Sequence, residues 1–369
     1  MIDPIEGGAA MRLACFISPH GFGHAARSSA ILRRCSERRP DLRFDLFTRV
    51  PAWFFDESIP GVFHYHETLS DIGFVQRSAL EIDFAATLDS LNRFLPFDES
   101  LVDALARTVR VNGCRAVLCD ISPLGIAVAD AAGIPSILIE NFTWDWLYEP
   151  YRESAPGFIT HCATLRSWFD RADHHVQTTP ACVPAEVDLV SSPVARIARI
   201  GREDMRASLS LDERDKLVVI TMGGVPQPHG FLPKLRHWPD VKFLISGWSE
   251  DRRDGNLLLI DQRTRIYMPD LIGCADAVVA KLGYGTVAEV WTAGCPMAYV
   301  ARNFRESVVL KDFVDREIPS FEIPEPEFDD GAWIDRVGEL LALPRRPPGA
   351  EAGAGQIADF VLGIIDASV

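Results

Sequence analysis

The sequence predicts an α/β protein with two parallel sheets, each covered by helices on both faces. Three observations carry this. Short β-rich runs alternate with helix-length segments along the chain, and in each half one such run ends in a glycine-bearing loop that opens a helical pattern. The chain has 369 residues, 47% hydrophobic and 24% charged, enough for about two cores. The first run, 12–18, ends in Pro19-His20-Gly21-Phe22-Gly23-His24 and is followed by a helical pattern over 25–37. Runs at 44–48, 116–119, 136–140, 217–221, 242–246, 277–281 and 297–300 repeat the alternation. One very wide sheet or a closed barrel would hold as many strands, but the separation of the runs into two halves favours two sheets. Residues 180–204, with several prolines and no clear period, are expected to connect the halves. The Pro/Gly/Ala-rich stretch 344–355 precedes an amphipathic segment, 356–366, expected to dock as a helix. The expected division is therefore 11–192, 193–343 and a linker with terminal helix over 344–369. Residues 1–10 read as a dispensable leader ahead of a second start at Met11.

Charge and cysteine usage narrow the function classes. Lys+Arg 37 against Asp+Glu 52 gives −15, so the chain repels polyanions as a whole and has no electrostatic footprint for nucleic acid. Any phosphate must be held locally. No apolar stretch is long enough to span a bilayer, and no basic segment followed by an apolar one opens the chain. The eight cysteines lie far apart without zinc-like spacing, which reads as free thiols in a reducing compartment; the cytoplasm is the expected location. Nucleotide-binding Lys-containing loops, the serine-hydrolase elbow, the zinc-protease helix and a D-x-D pair for a metal-held diphosphate are all missing, so no metal or cofactor is expected.

Two loops are placed to do chemistry. In the first, glycines at 21 and 23 let the backbone turn tightly and let a ligand approach main-chain N–H groups at a helix N-terminus. His24 sits in that loop mouth, where an imidazole can take a proton from a hydroxyl; His20 is the competing candidate. Asp120, at the end of the run 116–119, is expected on the same rim as an orienting carboxylate, the alternative being a helix N-cap ahead of Ser122-Pro123. Gly21, Gly23 and Ala26 also fit a loose dinucleotide fingerprint, in which Arg49 would read the phosphate of NADP. In the second loop, Lys281-Leu282-Gly283-Tyr284-Gly285-Thr286, the amides around Gly285 and Thr286 can hold a diphosphate without a basic chain. Glu289, one turn on, can accept hydrogen bonds from sugar or ribose hydroxyls, or simply complement the helix dipole. Gly223 and Gly224 follow another strand and approach the same crevice. The arginines of the first helix and beyond (Arg27, Arg33, Arg34, Arg38, Arg39, Arg43) read as a solvated face, with docking to anionic lipid or a partner as the sharper option.

At these residues the sequence becomes familiar. HGFGHAAR, Cys119-Asp120-Ile121-Ser122-Pro123, Asn141-Phe142-Thr143-Trp144-Asp145-Trp146, the Gly223-Gly224 loop, Met268-Pro269-Asp270, the segment Lys281 to Glu289 and Arg302-Asn303-Phe304-Arg305-Glu306 occur in this order. Together they resemble the glycosyltransferase-like N-terminal region of plant L-arabinokinase and its stand-alone bacterial relatives. More distantly, the chain is similar to the peptidoglycan N-acetylglucosaminyltransferases and to plant nucleotide-sugar glycosyltransferases.

The resemblance implies the GT-B architecture: two doubly wound, Rossmann-like domains facing across a cleft, with the acceptor on the first and a nucleotide sugar, UDP-linked, on the second. It implies His24 as base with Asp120 orienting it. Gly223, Gly224, Met268, Gly283, Tyr284, Gly285, Thr286, Glu289 and Glu306 fall on the donor side, with Met268 beside the nucleobase and Glu306 near the ribose. His20, Gly23, Asn141, Trp144 and Asp145 fall on the acceptor side. The kinase half of arabinokinase has no counterpart here, so sugar phosphorylation is not expected. The reading is an inverting, metal-independent glycosyl transfer to a hydroxyl acceptor. A nucleotide-sugar epimerase of the same fold and a non-catalytic nucleotide-sugar-binding module remain open beside it. Peripheral membrane contact is compatible with the basic cluster.

Overall fold

A computed structural model of the chain describes residues 11–75, 82–222, 230–248, 250–261, 267–301, 304–349 and 352–367. Among these, fourteen strands form two seven-stranded sheets. The first contains β1 (Arg12–Ile17), β2 (Arg43–Thr48), β3 (Phe63–Glu67), β4 (Cys114–Asp120), β5 (Ser136–Glu140), β6 (His174–Thr178) and β7 (Leu189–Ser191). They lie side by side in the order β3-β2-β1-β4-β5-β6-β7, and every pairing is parallel. The second sheet contains β8 (Lys216–Thr221), β9 (Val241–Trp248), β10 (Arg252–Asp254), β11 (Leu257–Asp261), β12 (Ala277–Lys281), β13 (Met297–Val300) and β14 (Ser320–Glu322). Its order is β10-β11-β9-β8-β12-β13-β14, parallel except for β10 at one edge, which runs antiparallel to β11.

All eight strands read from the sequence are present. They are the runs whose side chains are buried on both faces, such as Ala116 to Cys119 and Val218 to Ile220, so their composition is continuously apolar. The strands that sequence patterning passes over carry polar residues or lie nearer an edge: β3 is Phe-His-Tyr-His-Glu and β6 is His-His-Val-Gln-Thr. One of them, β7, falls inside 180–204. That segment therefore first completes the first sheet, and the run without strands that leads to the second begins after Ser191. Four apolar clusters, one on each face of each sheet, make up the cores.

In both sheets the strand order reverses at the centre, between β1 and β4 and between β8 and β12, and the crevice outside the carboxyl ends of such strands is where doubly wound folds hold ligands. Residues 356–366 are helical as expected, within the helix Ala352–Ala367. This helix returns to the first lobe, where Ala354, Ile357, Ala358, Val361 and Ile365 join the cluster beneath Phe22–Arg38. Arg38 meets the Gly355 carbonyl (2.5 Å) and Asp359 (3.2 Å), and Arg39 meets Asp366 (2.5 Å). Arg33 and Arg34 pair with Glu37. The basic cluster is thus largely an internal fastening rather than one open cationic face. All eight cysteines are free thiols, seven of them buried. Residues 1–10 lie outside the described residues. Among the described residues no helix is long and apolar enough to cross a membrane.

Candidate functional site

β1 delivers the chain at Ile17 into the loop of Ser18 to Gly21. Gly21 adopts φ +81°, a left-handed conformation that favours glycine, and so starts the helix Phe22–Arg38 without a side-chain cap. His24 lies in that helix's first turn. Its Nδ1 is 2.9 Å from Oδ1 of Asp120, the last residue of β4 and fully buried. The cap of the following helix, Pro123–Ala132, is Ser122, whose hydroxyl accepts from the Gly125 amide (3.2 Å). Asp120 is therefore not consumed as a cap and faces the histidine.

Asp120 has two further partners, Ser28 Oγ (2.8 Å) and the Arg27 guanidinium, which reaches Oδ2 through Nε (2.9 Å) and Oδ1 through Nη2. Burial by itself would raise the Asp120 carboxyl. The adjacent Arg27 charge and the hydrogen bonds from His24 and Arg27 more than offset that and hold it down at about 2. An ionised Asp120 can only accept, so His24 Nδ1 carries the hydrogen and donates. His24 is a cavity-lining residue. The network thus fixes the ring through Nδ1 and leaves Nε2 as the nitrogen that can exchange a proton.

From the other lobe, β12 ends at Lys281 and the helix Tyr284–Ala293 starts after Gly283, again with no side-chain cap. The first-turn amides of a helix have no acceptor within it, and here, among the described residues, the N-cap Gly283 has no side chain to supply one. The two glycine loops meet: a Cβ on Gly285 would stand 3.2 Å from the Gly23 Cα, and one on Gly23 would stand 3.8 Å from the Gly285 nitrogen. Around this contact lies a cavity of about 340 Å³ lined by both lobes. The ends of four strands of the second sheet reach it through Thr221, Ser246, Ile260 and Lys281.

Of the donor-side residues read from the sequence, Met268, Gly283, Tyr284, Gly285, Thr286, Glu289 and Glu306 all line this cavity. Gly223 and Gly224 lie outside the described residues. Glu289 is buried and its Oε1 accepts from Arg196 Nε at 2.9 Å; burial raises its carboxyl, and the Arg196 charge and hydrogen bond only partly offset this. Tyr284 contacts Cys182 Sγ through its hydroxyl at 3.0 Å, a link between the lobes.

On the acceptor side, His20, Gly23, Asn141 and Trp144 line the cavity, and Asp145 does not. Asp145 instead accepts from Arg166 Nε at 3.0 Å. Asn141 takes Arg27 Nη1 on its carbonyl oxygen and donates to the Thr178 and Pro180 carbonyls (2.7 and 3.0 Å), so its polar atoms serve the protein itself. Trp144 donates from Nε1 to Asp71 (2.8 Å) and offers the cavity its ring, edge-on to His20 at 5.3 Å. Arg49 is exposed and does not line the cavity, so nothing here supports a dinucleotide reading built on it.

Sequence reasoning missed three participants. Arg27 was placed with a solvated face; it is 6% exposed and joins the dyad, a role its one-turn spacing from His24 could have suggested. Asp71, fully buried behind Trp144, is pushed up to about 7 by burial, despite the hydrogen bond from Trp144. Arg196, in the segment joining the lobes, carries the Glu289 contact. Neither Asp71 nor Arg196 lies in a recognisable motif.

Comparison with known proteins bears on the fold. No protein-family model matches the chain. L-arabinokinase of Arabidopsis thaliana is 26% identical over 377 residues, covering 98% of this chain and 35% of that protein, so the chain spans about a third of this relative's length. Among solved structures, the glycotransferase of kitacinnamycin superposes with a TM-score of 0.65 at 16% identity, covering 96% of this chain and 98% of the other. A UDP-glucosyltransferase from Polygonum tinctorium gives 0.61 at 16% identity over 97% and 93%. MurG of Acinetobacter baumannii gives 0.54 at 13% identity over 96% and 99%. The chain has the GT-B glycosyltransferase fold.

Proposed function

We propose that this chain transfers a sugar from a nucleoside-diphosphate sugar, UDP-linked, to a hydroxyl acceptor, with inversion at the anomeric carbon and without a metal ion. The observation that carries the reading is the apposition of His24, held by Asp120 at 2.9 Å, and the uncapped start of the helix Tyr284–Ala293 around one cavity. His24 Nε2 removes the acceptor proton while the oxygen attacks the anomeric carbon. The bond from that carbon to the diphosphate oxygen breaks on the opposite side, and the nucleoside diphosphate departs with the bonding pair. First-turn amides near Gly285 and Thr286 are suited to the charge that develops there, and Lys281 stands at the adjacent strand end. The sugar and nucleoside occupy the crevice of Met268, Glu289 and Glu306.

The acceptor lies against Phe142 and Trp144, whose rings meet at 5.5 Å. Asn141, Trp144 and Arg27 already spend their polar atoms on protein partners. This wall therefore holds its ligand mainly by apolar contact, with the reacting hydroxyl turned to His24. Sugar phosphorylation, which the name of the plant relative describes, is not part of the proposal. The test is turnover with a panel of nucleotide sugars and hydroxyl acceptors, followed by mass spectrometry of products with and without EDTA. A glycosylated acceptor whose formation survives EDTA and fails in His24→Ala supports the reading. A sugar isomer formed from donor alone points instead to epimerisation, and binding without turnover to a nucleotide-sugar-binding module.

A further inference from the structure

Arg27 differs from the other arginines of its helix in being buried among the carboxyl ends of three strands. Its Nε and Nη2 fork onto both oxygens of Asp120 at the end of β4, and its Nη1 reaches Asn141 just beyond β5. Thr178, the last residue of β6, is 3.5 Å from the same Nη1. Asn141 is in turn fixed by the Thr178 and Pro180 carbonyls. The guanidinium thus ties the helix bearing the histidine to the strand bearing the carboxylate. Nη2 also lies 3.3 Å from His24 Nδ1, where both groups are donors, so the contact confines the ring without bonding to it.

We propose that Arg27 is a positioning residue of the transfer: its fork keeps Asp120 charged and oriented, and thereby holds His24 with Nε2 toward the acceptor. The proposal rests on the glycosyl-transfer reading only where it calls His24 the base. The charged and titratable groups near Asp120 are Arg27 and His24 on the helix Phe22–Arg38, Asp71 in the segment after β3 and the buried Cys119 thiol beside it on β4, which burial holds in its neutral form; Glu140 of β5 and Tyr284 of the second lobe act on Arg27. Without Arg27, a fully buried Asp120 keeps only His24 and Ser28 to offset its burial, and its carboxyl rises. A protonated Asp120 no longer holds Nδ1–H. The effect of the loss should therefore grow as pH falls.

The experiment compares wild type with Arg27→Met, which keeps bulk, and Arg27→Lys, which keeps charge but not the fork. Circular dichroism and thermal melting establish that each variant is folded. With a working donor and acceptor, Arg27→Met should lower kcat on the order of 100-fold, the scale on which a positioned base contributes. It should leave the donor KM within about twofold, and the deficit should widen toward acid pH. Arg27→Lys should recover part of kcat, and added guanidinium should recover part of the Arg27→Met loss. A raised donor KM with an unchanged pH profile would mean that Arg27 binds the diphosphate instead, and would overturn the proposal.

A second readout does not depend on turnover. In proton NMR, the hydrogen-bonded Nδ1–H of His24, assigned by its loss in His24→Ala, should persist in wild type through about pH 3–5, where ordinary carboxylates titrate. It should disappear over that range in Arg27→Met if that variant is folded, and in Arg27→Lys it should weaken. Persistence in both variants refutes the positioning role even if the reaction proves to be of another kind. Failure of wild-type turnover with a normal NMR result would fault the functional reading alone.

Discussion

The two rims of the cleft are built from different materials. On the first lobe, His24, Arg27, Ser28, Asp120, Asn141 and Thr178 bind one another, and nearly every polar atom there has a protein partner. On the second, the facing element is a helix start with glycine at 283 and 285 and no side-chain cap. One rim holds a side chain in a fixed orientation; the other leaves backbone dipoles available. This suits a reaction in which a single proton must be collected at a defined atom, while a diffuse negative charge on a leaving diphosphate needs several donors.

Substitution separates the two rims. His24→Ala should lower turnover about 10²–10⁴-fold, the range for a positioned general base, while calorimetry shows donor affinity unchanged. Gly285→Val should act on the other rim. Even the first carbon of the new side chain would lie 3.2 Å from the Gly23 backbone, which must give by a few tenths of an ångström for that atom alone and further for the two methyls, so the helix start shifts and the donor KM should rise roughly tenfold, equivalent to about 1.4 kcal/mol. If His24→Ala weakened donor binding as much as Gly285→Val does, the division of labour would be wrong.

A smaller effect concerns the wall behind Trp144. The Asp71 carboxyl is raised to about 7 in the folded protein, against about 3.9 for an ordinary aspartate. Between these values the folded state binds more protons than the unfolded one, so this group's stabilising contribution is fully present below about pH 4 and is lost as pH rises through about 7. Asp71→Asn, which retains an acceptor for the Trp144 N–H, should flatten that part of the stability profile in denaturant titrations at pH 4, 6 and 8. An identical slope in the variant would place the ionisation elsewhere. The smallest effect is expected at the surface pair of Arg39 and Asp366, where Arg39→Ala should leave the melting temperature unresolved from wild type.

The contrast between the rims also explains what could be read from the sequence. The second rim is local: a β-rich run, a glycine, and a helical pattern within nine residues announce a helix start aimed at a crevice. The buried strands were legible for a similar reason, since residues such as Val278 and Val279 are apolar on both faces. The first rim is assembled from residues 93 positions apart in the case of Arg27 and Asp120, and no periodicity reports such a pairing. Arg27 shares its helix with the less buried Arg33, Arg34 and Arg38, and its one-turn spacing from His24 is the single sequence signal that sets it apart. Asp145 illustrates the reverse: it stands beside Trp144 in sequence, yet the helical turn directs it to Arg166. The strands β3 and β6 escaped notice because histidines and other polar residues interrupt their apolar pattern.

The most direct measurement is the crystal structure of the chain with a bound UDP-sugar that it has been shown to turn over, captured in the His24→Ala variant. The diphosphate should lie within hydrogen-bond reach, about 3 Å, of the Gly285 and Thr286 amides, with the anomeric carbon turned toward position 24. A nucleotide bound on the outer face of either sheet, or a diphosphate held away from that helix start, would contradict the assignment of the cleft.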